Sequence, residues 1–103
     1  MIYEVNLKVD AEIIDQYMPW MHRHLEEMVE IPGFSAASLF ERRPEEEDEP
    51  GEGVVLLTAH YVVEDEAAMQ AYLEGPASRM RQDGIDRFGG RFTATRRFLY
   101  PVR

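Results

Sequence analysis

The first ten residues alternate in polarity. Tyr3, Val5, Leu7 and Val9 fall on one side and Glu4, Asn6 and Lys8 on the other, the period of a half-buried strand over residues 2–9. The period then lengthens. Asp10 offers an N-cap, and Glu12 and Asp15 place acids in the early turns, where a helix dipole favours them. With Met21 at the centre of a buried face, helical steps gather Ile13, Ile14, Tyr17, Met18, His24, Leu25, Met28 and Val29 into one stripe, with Arg23, Glu26 and Glu30 opposite. This predicts a helix to about residue 30, stopped by Ile31-Pro32-Gly33. Pro19 falls on its solvent side and is expected to kink it or divide it in two.

Residues 34–43 read as a second strand. The acidic run 44–53, bracketed by Pro44 and Gly53, reads as a solvated hairpin loop rather than a binding tail. Residues 54–63, rich in β-branched side chains, are the most strand-like stretch of the chain. Glu64-Asp65-Glu66 then caps a helix with Met69, Tyr72 and Leu73 inward. Gly75-Pro76 breaks it, and a further helical piece turns Met80, Ile85 and Phe88 inward before stopping at Gly89-Gly90. Residues 91–100 form the last strand. The order predicts an α+β, ferredoxin-like βαββαβ domain spanning residues 1–103, with a four-stranded antiparallel sheet and helices on one face. The open face collects Glu4, Asn6, Thr58, His60, Thr93, Thr95 and Arg97. It is polar and poor in large apolar side chains.

Composition narrows the classes. At 103 residues, 45% hydrophobic and 11% aromatic, the chain has material for one core and is not disordered. It contains no cysteine, which excludes disulfides, thiolate metal sites and a cysteine nucleophile. Without a basic leader followed by an apolar run, or any apolar stretch of membrane length, a cytoplasmic location and no membrane partner are expected. Charge is unevenly spread: residues 79–103 hold seven of the eleven basic side chains and two of the twenty acids. The net charge of −9 counts against nucleic acid as a partner. The C-terminal arginines are instead expected to neutralise the chain's own carboxylates, within or between subunits. Arg96 and Arg97 point to opposite faces of the last strand, one toward the helices and one toward the open face. The planar fork makes either an anion clamp, ion pairs are the plainer reading, and Arg97 is the one to watch as a ligand contact.

The strongest candidate for chemistry is His24. It lies about 60° from the centre of the helical stripe, one turn after Trp20 and beside Tyr17. Residues four apart share a helix face, so Trp20 and His24 can wall one pocket between helix and sheet. An imidazole beside an indole suits proton transfer on an aromatic or enol-like substrate; the plainer reading is a partly buried core histidine. His60, with Asn6 and Thr58 on the open face, could orient a ligand or join a network across a dimer. His22 projects to the stripe's edge, and His22 and His24, two residues apart on a helix, diverge, so no metal is expected. Gly89-Gly90 follows a helix instead of opening one and lacks the Gly-Lys of a phosphate loop; it is read as a turn.

Several segments together resemble a small bacterial family of domains of unknown function. They are Met1-Ile2-Tyr3-Glu4-Val5-Asn6-Leu7, the Trp20 and His24 pair, Met28 to Phe34 ending Pro32-Gly33-Phe34, Tyr72-Leu73-Glu74, and Arg87-Phe88-Gly89-Gly90-Arg91-Phe92 followed by Ala94, Arg96, Arg97 and Leu99. The resemblance covers nearly the whole chain outside the acidic loop, and it implies similarity to the dimeric α/β-barrel superfamily, in which two sheets pack face to face. The expectation is therefore a homodimer, formed through the open sheet face, that binds a small aromatic or anionic ligand in a non-catalytic or regulatory role. Tyr17, Trp20, His24, Asn6, His60 and Arg97 are its candidate ligand contacts, and no cofactor is expected. The alternative is a cofactor-independent oxygenase or isomerase-like enzyme, with His24 as acid and base, Trp20 as stacking wall and an arginine stabilising developing negative charge. A further alternative is a structural interaction module using the acidic surface.

Overall fold

The computed structural model describes residues 1–102. Strand β1 (Ile2–Asp10) leads through a 3-10 turn (Ala11–Ile13) into helix α1 (Ile14–Met28). Strands β2 (Phe34–Arg42) and β3 (Val54–Val63) follow, then helices α2 (Glu66–Glu74) and α3 (Ala77–Phe88), and strand β4 (Phe92–Leu99). The strands pair antiparallel in the order β2-β3-β1-β4. This is the ferredoxin-like βαββαβ arrangement, with the second helical region in two pieces. Among the described residues no helix is long and apolar enough to cross a membrane.

The strand register settles which side chains share a face. Tyr3 stands between Tyr61 and Phe98, Val5 between Ala59 and Arg96, and Leu7 between Leu57 and Ala94. These residues face the helices, as the alternation predicts, and pack against Tyr17, Met21, Leu25 and Met28 of α1 and Met69, Tyr72 and Met80 of α2 and α3. Glu4, Asn6, Thr58, His60, Thr95 and Arg97 share the other face.

Four local features differ from expectation. Asp10 caps the 3-10 turn by accepting from the Glu12 amide at 2.9 Å, so α1 starts only at Ile14. Pro19 neither ends nor splits α1. It is exposed, and the Asp15 carbonyl it leaves without an amide partner belongs to another exposed residue, where water can reach it. Ile85 is 51% exposed, because Ala77, Met80 and Gly84 form the buried line of α3. The acidic loop is not simply solvated: Glu47 reaches Arg42 at 2.5 Å and Glu49 reaches Lys8 at 3.2 Å. Both bases lie on the open sheet face, so the loop folds back over one end of it, where Leu56 is fully buried.

Two glycines are dictated by geometry. Gly33, at φ +88°, sits where a Cβ would stand 2.3 Å from the Ala68 Cβ, so it alone lets the turn before β2 approach α2. Gly89, at φ +58°, closes α3 and turns the chain toward β4, the role expected of the Gly89-Gly90 pair.

Candidate functional site

Between α1, α3 and the sheet lies a cavity of about 280 Å3. One end of α1 supplies its aromatic wall. Trp20 and His24, one helical turn apart, stack with ring centroids 5.1 Å apart and planes at 14°. Tyr17 packs on Trp20 at 5.5 Å and on Phe92 of β4 at 5.6 Å. Trp20 is fixed from its polar edge: the indole N–H donates to Asp83 of α3 at 2.8 Å, and Arg87 donates to the same carboxylate at 3.1 Å. Those two bonds hold the Asp83 carboxyl below its usual range.

Gly84 makes this contact between helices feasible. A Cβ there would stand 3.0 Å from Trp20 Cη2 and 3.4 Å from Phe92 Cζ. The missing side chain lets the indole lie against α3, and Gly84 itself lines the cavity.

His24 opens onto this space. Among the described residues no hydrogen bond engages its ring. Burial, assisted by the charge of Arg96 and opposed by Asp83, lowers its pKa from 6.5 to about 4. At neutral pH it is therefore an uncharged ring with nitrogens free for a ligand. It lacks the second proton of an imidazolium to give as an acid, and among the described residues no carboxylate or carbonyl orients it as a base. Tyr17, Tyr61 and Tyr72 also line the cavity, and no hydrogen bond within the described chain engages their hydroxyls. Burial raises all three phenol pKa values, that of Tyr72 to about 12, so they stay protonated donors.

Sequence reasoning did not assign two further lining residues, Arg96 and Arg81. Arg96 is an exposed residue on the helix side of β4, in line with Phe92, Ala94 and Phe98. A cation on the apolar face of an edge strand was the available signal. Arg81, on α3, donates from Nη2 to the Tyr3 hydroxyl at 3.1 Å, while its buried Nε has no partner. Its place on α3 beside Tyr3, 78 positions away in the chain, has no local signature.

The remaining predicted contacts form a separate group on the far side of the sheet. Glu4, 4% exposed, is their centre. His60 Nε2 donates to its Oε1 at 2.7 Å, Asn6 donates to Oε2 at 2.9 Å, and Arg97 Nε donates to the same oxygen. Thr58 completes the set by donating to Asn6 at 2.7 Å. Burial pushes the Glu4 carboxyl up, but the bonds from Arg97, Asn6 and His60 outweigh it and bring the pKa from 4.5 down to about 2. The sheet thus divides the candidates: Tyr17, Trp20 and His24 meet at the cavity, and Asn6, His60 and Arg97 meet on Glu4. Among the described residues no group of three or more histidines and carboxylates is arranged to hold a metal ion.

The family model described as Domain of unknown function (DUF4286) matches residues 1–102. The chain belongs to this family. No curated protein matches it. Among solved structures, this DUF4286 chain is similar to a Deinococcus radiodurans protein described as a candidate antibiotic biosynthesis monooxygenase (14% identity, TM-score 0.67, 99% of this chain and 94% of that one). It is also similar to an antibiotic biosynthesis monooxygenase (17% identity, TM-score 0.59, 98% and 100%). A third similar structure is the de novo designed protein Foldit4 (13% identity, TM-score 0.59, 96% and 97%). At these identities the likeness shows the ferredoxin-like fold alone. That a designed protein shares it underlines that function here must be argued from the site.

Proposed function

We propose that this protein is a homodimer that binds a small molecule in the cavity between α1, α3 and the sheet. The observation that carries the reading is the state of the cavity's polar groups: the His24 ring and the Tyr17, Tyr61 and Tyr72 hydroxyls face a space of about 280 Å3 without partners in the described chain. Buried polar groups are normally satisfied, and a cluster left free around a volume of ligand size is the signature of a site completed from outside. Binding is favoured over turnover because the cavity's one imidazole has no carboxylate or carbonyl among the described residues to orient it.

The open sheet face is proposed as the subunit contact. Phe40 and Val62 stand 50% and 39% exposed on it, beside the Glu4 network. Arg97 and His60 already spend their charge and hydrogen bonds on Glu4, and Lys8 and Arg42 spend theirs on the loop. A satisfied polar surface with exposed apolar neighbours can be covered by a second copy at little desolvation cost.

Native mass spectrometry tests both halves of the reading. The expected spectrum is a dimer that carries up to one small molecule per chain, either co-purified or taken up from an aromatic fragment library. A monomer at micromolar concentration removes the subunit contact. A spectrum that stays ligand-free after incubation with the library removes the binding site.

A further inference from the structure

We propose that the ligand of this cavity is an aromatic acid, its ring packed against Trp20 and Tyr17 and its ionised group held by Arg96 and Arg81. The inference rests on the reading of the cavity as a binding site and names the chemical class that fits it. The chain carries twenty Asp and Glu side chains, yet none lines this cavity, whereas two arginines do. Three other guanidinium groups of the basic C-terminal segment are matched. Arg87 meets Asp83 at 3.1 Å, Arg91 meets Asp10 at 2.7 Å and Glu12 at 2.9 Å, and Arg97 meets Glu4. Among the described residues no carboxylate pairs with Arg81 or Arg96. Arg81 commits only its Nη2, to the neutral Tyr3 hydroxyl.

The rest of the lining agrees. Tyr17, Tyr61 and Tyr72 line the same cavity as Arg96, so an anion held by Arg96 would share that space with uncommitted phenol donors. A planar guanidinium binds a carboxylate through two parallel hydrogen bonds, and such charge-assisted bonds are about twice as strong as neutral ones. The walls are aromatic or apolar: Trp20, Tyr17, Phe92, Met21, Met28 and Met80. A dry apolar cavity of about 150 Å3 accepts benzene. A space of about 280 Å3 therefore has room for a substituted ring together with its acidic group.

Trp20 is the chain's one tryptophan, so its fluorescence reports occupancy directly. The titration compares benzoate, phenylacetate and 4-tert-butylbenzoate with their uncharged carboxamides, which keep the shape and lose the charge. The acids are expected to bind at least about tenfold more tightly than the amides, a ratio one charge-assisted bond supplies. Arg96→Gln should remove most of that ratio by weakening the acids alone, and Arg96→Lys should restore part of it. Acids and amides binding equally to the unmodified protein would overturn the inference and leave the cavity reading standing. An Arg96→Gln variant that weakens both classes alike would also overturn it, because the residue would then act on the cavity's shape. Binding of neither class would remove the cavity reading itself.

Discussion

The two faces of one sheet hold polar chemistry in opposite states of completion. On the open face a buried carboxylate takes hydrogen bonds from His60, Asn6 and Arg97, and Thr58 satisfies the remaining amide oxygen. The carboxylate and the Asn6 amide are committed, while Arg97 spends only its Nε and its side chain stays 66% exposed. On the helix side one imidazole, four phenols, three of them without a hydrogen bond in the described chain, and two guanidiniums border a cavity with no carboxylate in its lining. A completed network specifies structure and tolerates being covered, whereas an incomplete one invites a partner molecule. From sequence alone His24 ranked first, with His60 and Arg97 behind it as candidate ligand contacts. What separates them is which carboxylates the fold brings within reach.

The comparison can be broken at either face. Trp20→Ala should have the largest effect, costing about 3–5 kcal/mol of stability in a denaturant titration, because it empties a core aromatic position and removes one of the two hydrogen bonds to Asp83. It should abolish ligand binding as well. The pH dependence contributed by His24 comes next. Its folded pKa of about 4 lies below the 6.5 of the free side chain, so the unfolded chain binds the proton more readily. Stability is then fully present above pH 6.5 and is lost as pH falls toward 4, by up to roughly 3 kcal/mol. Chemical denaturation across this range should show that slope, and His24→Phe should flatten it.

Glu4→Gln should cost about 2 kcal/mol and leave binding in the cavity unchanged. The loss stays below that of a fully buried ion pair because the Arg97 side chain is 66% exposed and can be hydrated once its partner is gone. The sign for Glu4 follows from its lowered pKa: its stabilisation is present above pH 4.5 and disappears as pH falls from 4.5 toward about 2. Gly84→Ala should have the smallest effect on stability. Its gain in helix propensity, about 1 kcal/mol, offsets the shift forced on Trp20 by a Cβ at 3.0 Å. Its signature should be weaker ligand binding at nearly unchanged stability.

Much of the fold was legible because period and polarity agree along most of the chain. The alternation of Tyr3 to Val9 and of Phe92 to Phe98 assigned both faces of the sheet correctly, since a strand buried on one side leaves no other register. The four-residue spacing of Trp20 and His24 placed them on one helix face in the same way. What escaped depends on contacts distant in sequence. The acidic loop read as solvated in part because Lys8, the partner of Glu49, becomes its neighbour only in the assembled sheet, whereas Arg42 lies five positions from Glu47 and was within local reach. Ile85 read as buried because hydrophobicity was allowed to outweigh a glycine; the fold needs Gly84 at that line so that Trp20 can approach. Arg96 read as one more ion-pairing arginine, and only the tertiary structure shows it facing a cavity with no acid in its lining.

Chemical-shift mapping by two-dimensional NMR with 4-tert-butylbenzoate tests the division between the faces most directly. The account predicts that the Trp20 indole, the His24 ring and the Arg96 guanidinium shift together as the acid is added, while His60 and Arg97 stay fixed. Shifts centred on His60 and Arg97, with Trp20 and His24 unmoved, would contradict it.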